Sequence, residues 1–449
     1  MILKTNNESL MPQASDPIAN YLEHFSKFEK EISGESEIRK FRQDAVEEFK
    51  SFGFPTNKNE EWRFTNPSQI SKIHFNHQLQ KQISGEVKKQ IDELAIKKFA
   101  QNRLVFVNGI FSNESSNTQF SPAIKISPVS ETLHQSPESV IEIVKRPMIE
   151  GRNFFTSLNT AFMRNGAFIS IPDNTTITDP IYLIFIASDD TTPFVMHPRN
   201  IISLGRNSEA SIVEHYIGVS KNVYFTNVVS NIILNQGAKL EHTKIQTESV
   251  NAIHIGSTYF HQFESSKLHQ NTIMIGGAIG RNNLISTLNS KNIECTFNGL
   301  SLSEGEQLLD NHTTIDHVMP NCESHELYKA ILNGKSRGVF NGKIFVRKDA
   351  QKTDAKQTNR TLLLSDEATM DTKPQLEIFA DDVKCTHGAT IGYLDADAIF
   401  YLRSRGISEN AARDMLTHAF ANDIIGRISA EPVREYLNKI VHDKLNQRR

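Results

Sequence analysis

The sequence predicts a mainly β chain, an irregular stack of β coils held between two helical regions. Two observations lead there. From about residue 165 to 392, short β-rich runs follow one another (167–171, 181–186, 201–204, 210–216, 223–234, 239–245, 253–260 and 267–275), divided by turn signals such as Asn207-Ser208, Asn235-Gln236-Gly237 and Gly276-Gly277. Apolar residues at helical spacing, by contrast, are confined to the stretches before and after. A sandwich and a stacked solenoid both fit the β region, but about 220 residues without a convincing helix favour the solenoid. Strict hexapeptide repeats are absent, so the coils are irregular. Each coil leaves an apolar face for its neighbours to bury, which makes the stack one rigid rod.

The elements follow in order. Residues 1–16 are polar and are expected to form a flexible arm. A helical region with short strands is expected over 17–164. In it Ile18, Tyr21, Leu22, Phe25 and Phe28 recur at helical spacing, and Phe41, Ala45 and Phe49 do so until Gly53 and Pro55 end the pattern. Trp62, Arg63 and Phe64 read as an aromatic anchor that docks this region, in preference to a ligand site. Residues 86–101 have helical character, and 104–109 read as a strand entering a turn. The β core spans 165–392, and a helical tail spans 393–449. In the tail Asp395 caps a helix carrying Ile399, Phe400 and Leu402 that closes at Gly406. Ser408 caps a second helix, with Ala411, Met415, Ala419 and Phe420 expected on its apolar stripe. Val433, Tyr436, Leu437, Ile440, Val441 and Leu445 mark a third. Some of these stripes dock on the last coil, and together the three helices make a compact docking platform. Its most accessible part is the turn from Leu402 to Ala411, where helix ends around Gly406 offer backbone groups to a partner.

Composition narrows the function. Hydrophobic residues make up 38% and charged residues 22%, ordinary for a globular chain of 449 residues, and a net charge of −3 argues against general nucleic-acid binding. No apolar run reaches the ~18 residues of a membrane span. The start, Met1-Ile2-Leu3-Lys4-Thr5-Asn6-Asn7-Glu8, has neither the apolar core of a signal peptide nor the arginines of a transit peptide, so a cytoplasmic location is expected. Three cysteines, Cys295, Cys322 and Cys385, are too few for a disulfide framework. They are also too few to hold an iron–sulfur cluster without ligands from another chain.

The chemistry concentrates at Cys385 and His387. Two residues apart in a strand, they face the same side, and a thiolate beside an imidazole makes half of a soft-metal site. A buried thiol beside a hydrogen-bonded histidine is the plainer reading of the same spacing. His312, His317, Cys322 and His325 invite a zinc reading, but alternation sends His312 and His317 to opposite faces and Met319-Pro320 breaks the run; His317 is expected in a polar turn. Cys295 reads as a core thiol. Gly334-Lys335-Ser336 imitates the end of a phosphate-binding loop, but the glycine required five positions earlier is Lys329, so no nucleotide site is expected.

Residues around this pair carry a resemblance. Thr353-Asp354-Ala355-Lys356-Gln357-Thr358-Asn359-Arg360 and Leu362-Leu363-Leu364-Ser365 precede it, and Phe400-Tyr401-Leu402-Arg403-Ser404-Arg405-Gly406-Ile407 follows. This succession closely resembles the SufB/SufD family of iron–sulfur cluster assembly proteins. Cys385 and His387 before Gly388-Ala389-Thr390-Ile391-Gly392 are similar to the SufD side of the family; SufB usually carries a His-Glu-Ala run there. The resemblance is strong over 310–425, moderate through the middle and weak over the first 100 residues. It implies a right-handed parallel β-helix with helical domains at both ends. It implies a non-catalytic scaffold in complex with SufB and with the ATPase SufC, the two scaffold chains meeting through their β-helix ends. It further implies a transient iron–sulfur cluster ligated across that interface by Cys385 or His387, with none stably bound by the isolated chain. SufC docking falls to the tail, at Leu402, Arg405, Gly406, Ile407, Ala411 and Met415. Whether the chain pairs with itself in the absence of SufB stays open, as does a reserve role for Cys295 in passing sulfur. The runner-up is an enzyme built on a β-helix, a zinc hydrolyase or a polysaccharide lyase.

Overall fold

A computed structural model describes residues 17–31, 36–77, 84–121, 123–146, 149, 151–188 and 191–446. The expected flexible arm, residues 1–16, lies outside the described residues. The centre is a parallel β-helix of eight coils, each contributing one strand to each of two facing sheets. One sheet stacks Ala167–Ile171, Arg199–Leu204, Tyr224–Leu234, Ala252–Gln262, Ile279–Leu288, Leu308–His317, Arg337–Val346 and Thr369–Ile378. The other stacks Ile181–Ala187, Glu209–Gly218, Lys239–Thr247, Lys267–Met274, Glu294–Ser303, Glu323–Leu332, Asp354–Leu363 and Lys384–Gly392. Two strands from before residue 165, Arg103–Val107 and Lys125–Pro128, extend the sheets at the opposite end.

Many of the corners close through a residue in the left-handed region. At the turn from the first sheet to the second, φ is positive at Asn207, Gly237, Ser265, Asn292, Asn321 and Lys352 in successive coils. Asparagine visits this region more readily than most side chains, which accounts for its recurrence. At Gly237 there is a second reason: a Cβ would stand 2.3 Å from the Asn207 Oδ1 of the coil beneath. Between the sheets run columns of in-register side chains. At one end the column is aromatic, with Phe106, Phe185 and Tyr216 stacked at 4.8 Å centroid spacing.

Burial is graded along the rod. The outer face of the first sheet is covered by the N-terminal helices Pro17–Glu31 and Ser36–Phe52 and by helix Phe154–Ala161, through a cluster that includes Tyr21, Phe25, Phe49, Trp62, Phe155 and Phe225. Trp62 is the anchor that the sequence implies: it is buried, packs against Phe155, and the Arg281 guanidinium lies 4.0 Å from its ring. The segment read as helical over 86–101 is a helix at Gly85–Leu94 and a short 3-10 turn at Lys97–Phe99.

The tail corrects one expectation. The stripes do not dock on the last coil alone: helices Glu409–Ile425 and Glu431–Asn446 run back over the outer face of the second sheet, while Ala396–Ser404 packs on Glu409–Ile425. Ile424, Ile425, Val433, Leu437 and Val441 pack there against Ile245, Ile273, Leu300 and Ile331. Lys329, whose ammonium is 2.7 Å from Asp423 Oδ2 and also bonds the Phe420 carbonyl, pins the second helix. The stripe expected on that helix is rotated. Met415 is 51% exposed and Ala419 is exposed, whereas Ala412, Thr417 and Ala421 are buried. Phe400, carried by the helix as expected, is 72% exposed, and helix Ala396–Ser404 buries no residue at all. Asp395 and Ser408 do cap their helices, and Gly406 takes φ +85° between them.

Candidate functional site

With the N-terminal helices on one sheet and the tail on the other, the eighth coil is left open. Thr369–Ile378 and Lys384–Gly392 each have a strand on one side only, and neither contains a buried residue. By contrast every residue of Tyr224–Leu234 and Ala252–Gln262 is buried. Large apolar side chains stand exposed around this end: Ile378, Phe379, Ile391 and Tyr393, with Phe400, Tyr401 and Met415 in the tail helices.

Cys385 and His387 lie on Lys384–Gly392 and face inward, toward the space between the sheets, because they register with the inward-facing Ala355 and Gln357. The spacing argument therefore holds: they share a face. Their environments differ. Cys385 is partly buried against Ile344, Val346, Ala355 and Ala380. Burial, with the Asp354 carboxylate adding to it, pushes its thiol pKa up, so the neutral thiol is favoured in the isolated chain. His387 is exposed at the open mouth of the coil. Gly388 beside it has nothing within 4 Å of the place a Cβ would occupy, so the mouth is open there as well.

Beneath His387 the column is polar. It registers with Gln357, which registers with Glu326. Gln357 Nε2 donates to Glu326 Oε2 at 2.8 Å, and Thr313 Oγ1 donates to the same oxygen at 3.0 Å from the opposite sheet. Burial raises the Glu326 pKa to about 7, although these two hydrogen bonds pull it down. Glu326 and Gln357 were not singled out as site residues by sequence reasoning. Gln357 lies inside the family-like run 353–360, which is the only signal that pointed near it.

The other candidates disperse. His312 lies on the outer face, 3.1 Å from Asp310 and 3.7 Å from Glu61; burial and Arg281 oppose its protonation, but the two carboxylates prevail and its pKa is raised. His317 is not in a turn but is the last residue of its strand, fully buried and hydrogen-bonded to Ser324 Oγ at 2.9 Å. Cys322 is buried at a corner, its Sγ 3.2 Å from the Ser290 carbonyl, and His325 points outward toward Asp354. Among the described residues no three histidine, cysteine or acidic side chains are grouped to hold a metal ion. Cys295 is buried in the same column as Cys385, two coils' strands lie between them, and burial drives its thiol far above the usual range. Gly334-Lys335-Ser336 forms an ordinary corner, with Ser303 Oγ donating to the buried Ser336 Oγ and Lys335 paired to Glu367.

Comparison with known proteins decides the family. The SufBD core-domain model of the SUF iron–sulfur cluster assembly system matches residues 185–420, and the SufBD N-terminal-region model matches 15–183. The chain belongs to the SufBD family. A SufBD-family iron–sulfur cluster assembly protein of Synechocystis is 35% identical to it, covering 89% of each chain. The iron–sulfur cluster assembly protein SufD of Escherichia coli is 30% identical over 85% of this chain and 87% of its own. A chloroplastic protein of Arabidopsis thaliana, ABCI7, is 28% identical over 89% of this chain and 84% of its own. In this SufBD chain, then, the two family matches adjoin near the first full coil, and the open coil lies inside the core-domain match. Among the described residues no helix is long and apolar enough to cross a membrane.

Proposed function

We propose that the chain is the SufD-type scaffold of a cytoplasmic iron–sulfur cluster assembly complex. It pairs with SufB through its open coil and contributes His387, with Cys385 beside it, to a cluster built across that junction. SufC docks on the first two tail helices around Leu402, Arg405, Gly406, Ile407, Ala411 and Met415, and supplies the ATP hydrolysis that this chain lacks. The observation that carries the reading is the coincidence of three features at one end of the rod. Two unpaired strand edges, a patch of exposed apolar side chains and a soft-metal half-site all meet there. An uncovered edge is a template for strand addition, so a built rod ending this way is completed by another chain.

His387 fits a ligand role better than Cys385. Its ring is accessible, while the thiol is packed inward and held protonated. The cluster is cargo: the chain's own part is to hold one ligand at a rigid, solvent-open position and to bring a partner's ligands to it. The test is co-expression with SufB and SufC, followed by affinity purification through this chain. Both partners should co-elute, with iron and acid-labile sulfide in equal amounts after anaerobic loading. Purification of this chain alone under those conditions would refute the scaffold reading.

A further inference from the structure

The polar column under His387 contains a defect. Gln357 is 1% exposed and its Nε2 is committed to Glu326 Oε2, which fixes the direction of its amide. Its Oε1 is buried and has no hydrogen-bond partner. The slot holding the amide is built for it: across the coil lies Gly342, where a Cβ would come within 2.2 Å of Gln357 Nε2. Leaving a buried acceptor unpaired costs about 1–3 kcal/mol, so a partner is expected. On the adjacent, final strand the residue in register with Gln357 is His387, flanked on the same face by Cys385 and Ala389. Of these three side chains the imidazole supplies the strong N–H donor.

We propose that Gln357 is a positioning residue for His387: its Oε1 accepts the imidazole N–H and so fixes which ring nitrogen keeps the lone pair. Neutral imidazole has one N–H and one lone pair, and a ligand histidine needs the lone pair facing the metal with the N–H held by an acceptor behind. Here the acceptor lies one coil deeper, and the free nitrogen faces the open mouth. Glu326 and Thr313 act one step further back by holding the Gln357 amide in that orientation. The functional meaning rests on His387 being a cluster ligand; the hydrogen bond itself does not.

The experiment reads the tautomer directly. Histidine-selective nitrogen-15 labelling of the full chain, with His387→Ala to assign the signal, gives the ratio of the two neutral tautomers from long-range correlation spectra at pH 8. One tautomer should dominate in the wild type. In Gln357→Met the ratio should fall by roughly fivefold or more, the factor that a net hydrogen bond of ordinary strength supplies. Gln357→Glu, which keeps an acceptor at that place, should restore it. Gln357→Asn, too short to reach, should behave as the methionine variant and serves if that variant does not fold. An unchanged ratio in a folded Gln357→Met or Gln357→Asn chain, or an even mixture in the wild type, overturns the proposal. Iron and sulfide loading of the complex with SufB forms a separate arm: undiminished loading of His387→Ala would refute the ligand reading and leave the tautomer result standing.

Discussion

Phe400→Ala separates docking from folding at the tail. Phe400 is 72% exposed on a helix that buries none of its residues. Removing its ring from the free chain creates no cavity, and alanine is the better helix former, so the stability change should stay within about 0.5 kcal/mol. For a chain of this size that is a melting-temperature shift below about 2 °C. If the exposed ring is an anchor for the ATPase, its loss should cost about 2 kcal/mol or more of binding, roughly a thirtyfold rise in Kd. Leu437→Ala supplies the opposite control. Leu437 is fully buried between the tail and the second sheet, so truncation should cost about 2–5 kcal/mol of stability with little change in Kd at a temperature where the chain is folded. Point substitutions are preferable to removing residues 395–449, because the tail covers Ile245, Ile273, Leu300 and Ile331 and its loss would expose them. The measurements are thermal unfolding by circular dichroism and SufC affinity by calorimetry. A Phe400→Ala chain that binds SufC with unchanged affinity would refute docking on this helix. One that melts many degrees lower would refute the claim that the helix buries nothing.

Three further outcomes are expected. His387→Ala should leave folding and SufB co-elution intact while lowering the iron and sulfide content of the complex, and Cys385→Ala should lower it less; equal loading of His387→Ala and wild type contradicts the ligand role. The purified chain should not bind ATP, since Gly334-Lys335-Ser336 is a coil corner with its serine buried; micromolar binding by calorimetry would sink the scaffold assignment. Glu326 should make the fold pH-dependent. Its folded pKa, about 7, lies above its ordinary value of 4.5, so its contribution is fully present below pH 4.5 and is lost as pH rises through 7. The loss is about 3 kcal/mol at 1.36 kcal/mol per pKa unit. Glu326→Gln should flatten the urea midpoint between pH 4.5 and 7.5, and an unchanged slope would show that burial does not hold the carboxyl neutral.

The solenoid was legible because its signal is local and repeated. Most strands and corners, many of the latter with an asparagine or glycine, can be read without knowing their neighbours, and the order of coils follows the order of the chain. The placement of the tail was not legible. Helical spacing identifies an apolar stripe but not which surface receives it, and the second sheet presents outward-facing isoleucines and leucines along several coils. Alternation in those strands was weak for that reason: a strand covered on both faces reads as apolar throughout. The exposure of Phe400 was hidden for a similar reason. Its spacing marks an apolar stripe, but the helix that carries it buries none of its residues.

The candidate site divides in the same way. That Cys385 and His387 share a face follows from a period of two and needs no fold. That the face is the inner one, and that the column beneath runs through Gln357 to Glu326, depends on a register between strands about thirty residues apart, which no local pattern encodes. The open end also has a polarity that the sequence hides. Both last strands are free edges, but Thr369–Ile378 carries Pro374 at its middle, and proline has no N–H to give to an added strand. Lys384–Gly392 has no proline. Strand addition is therefore interrupted on one edge and continuous on the other, and the continuous edge is the one that bears His387. A partner strand joining the rod there by backbone hydrogen bonds would run alongside His387, so the proposed pairing surface and the proposed ligand would share the same nine residues.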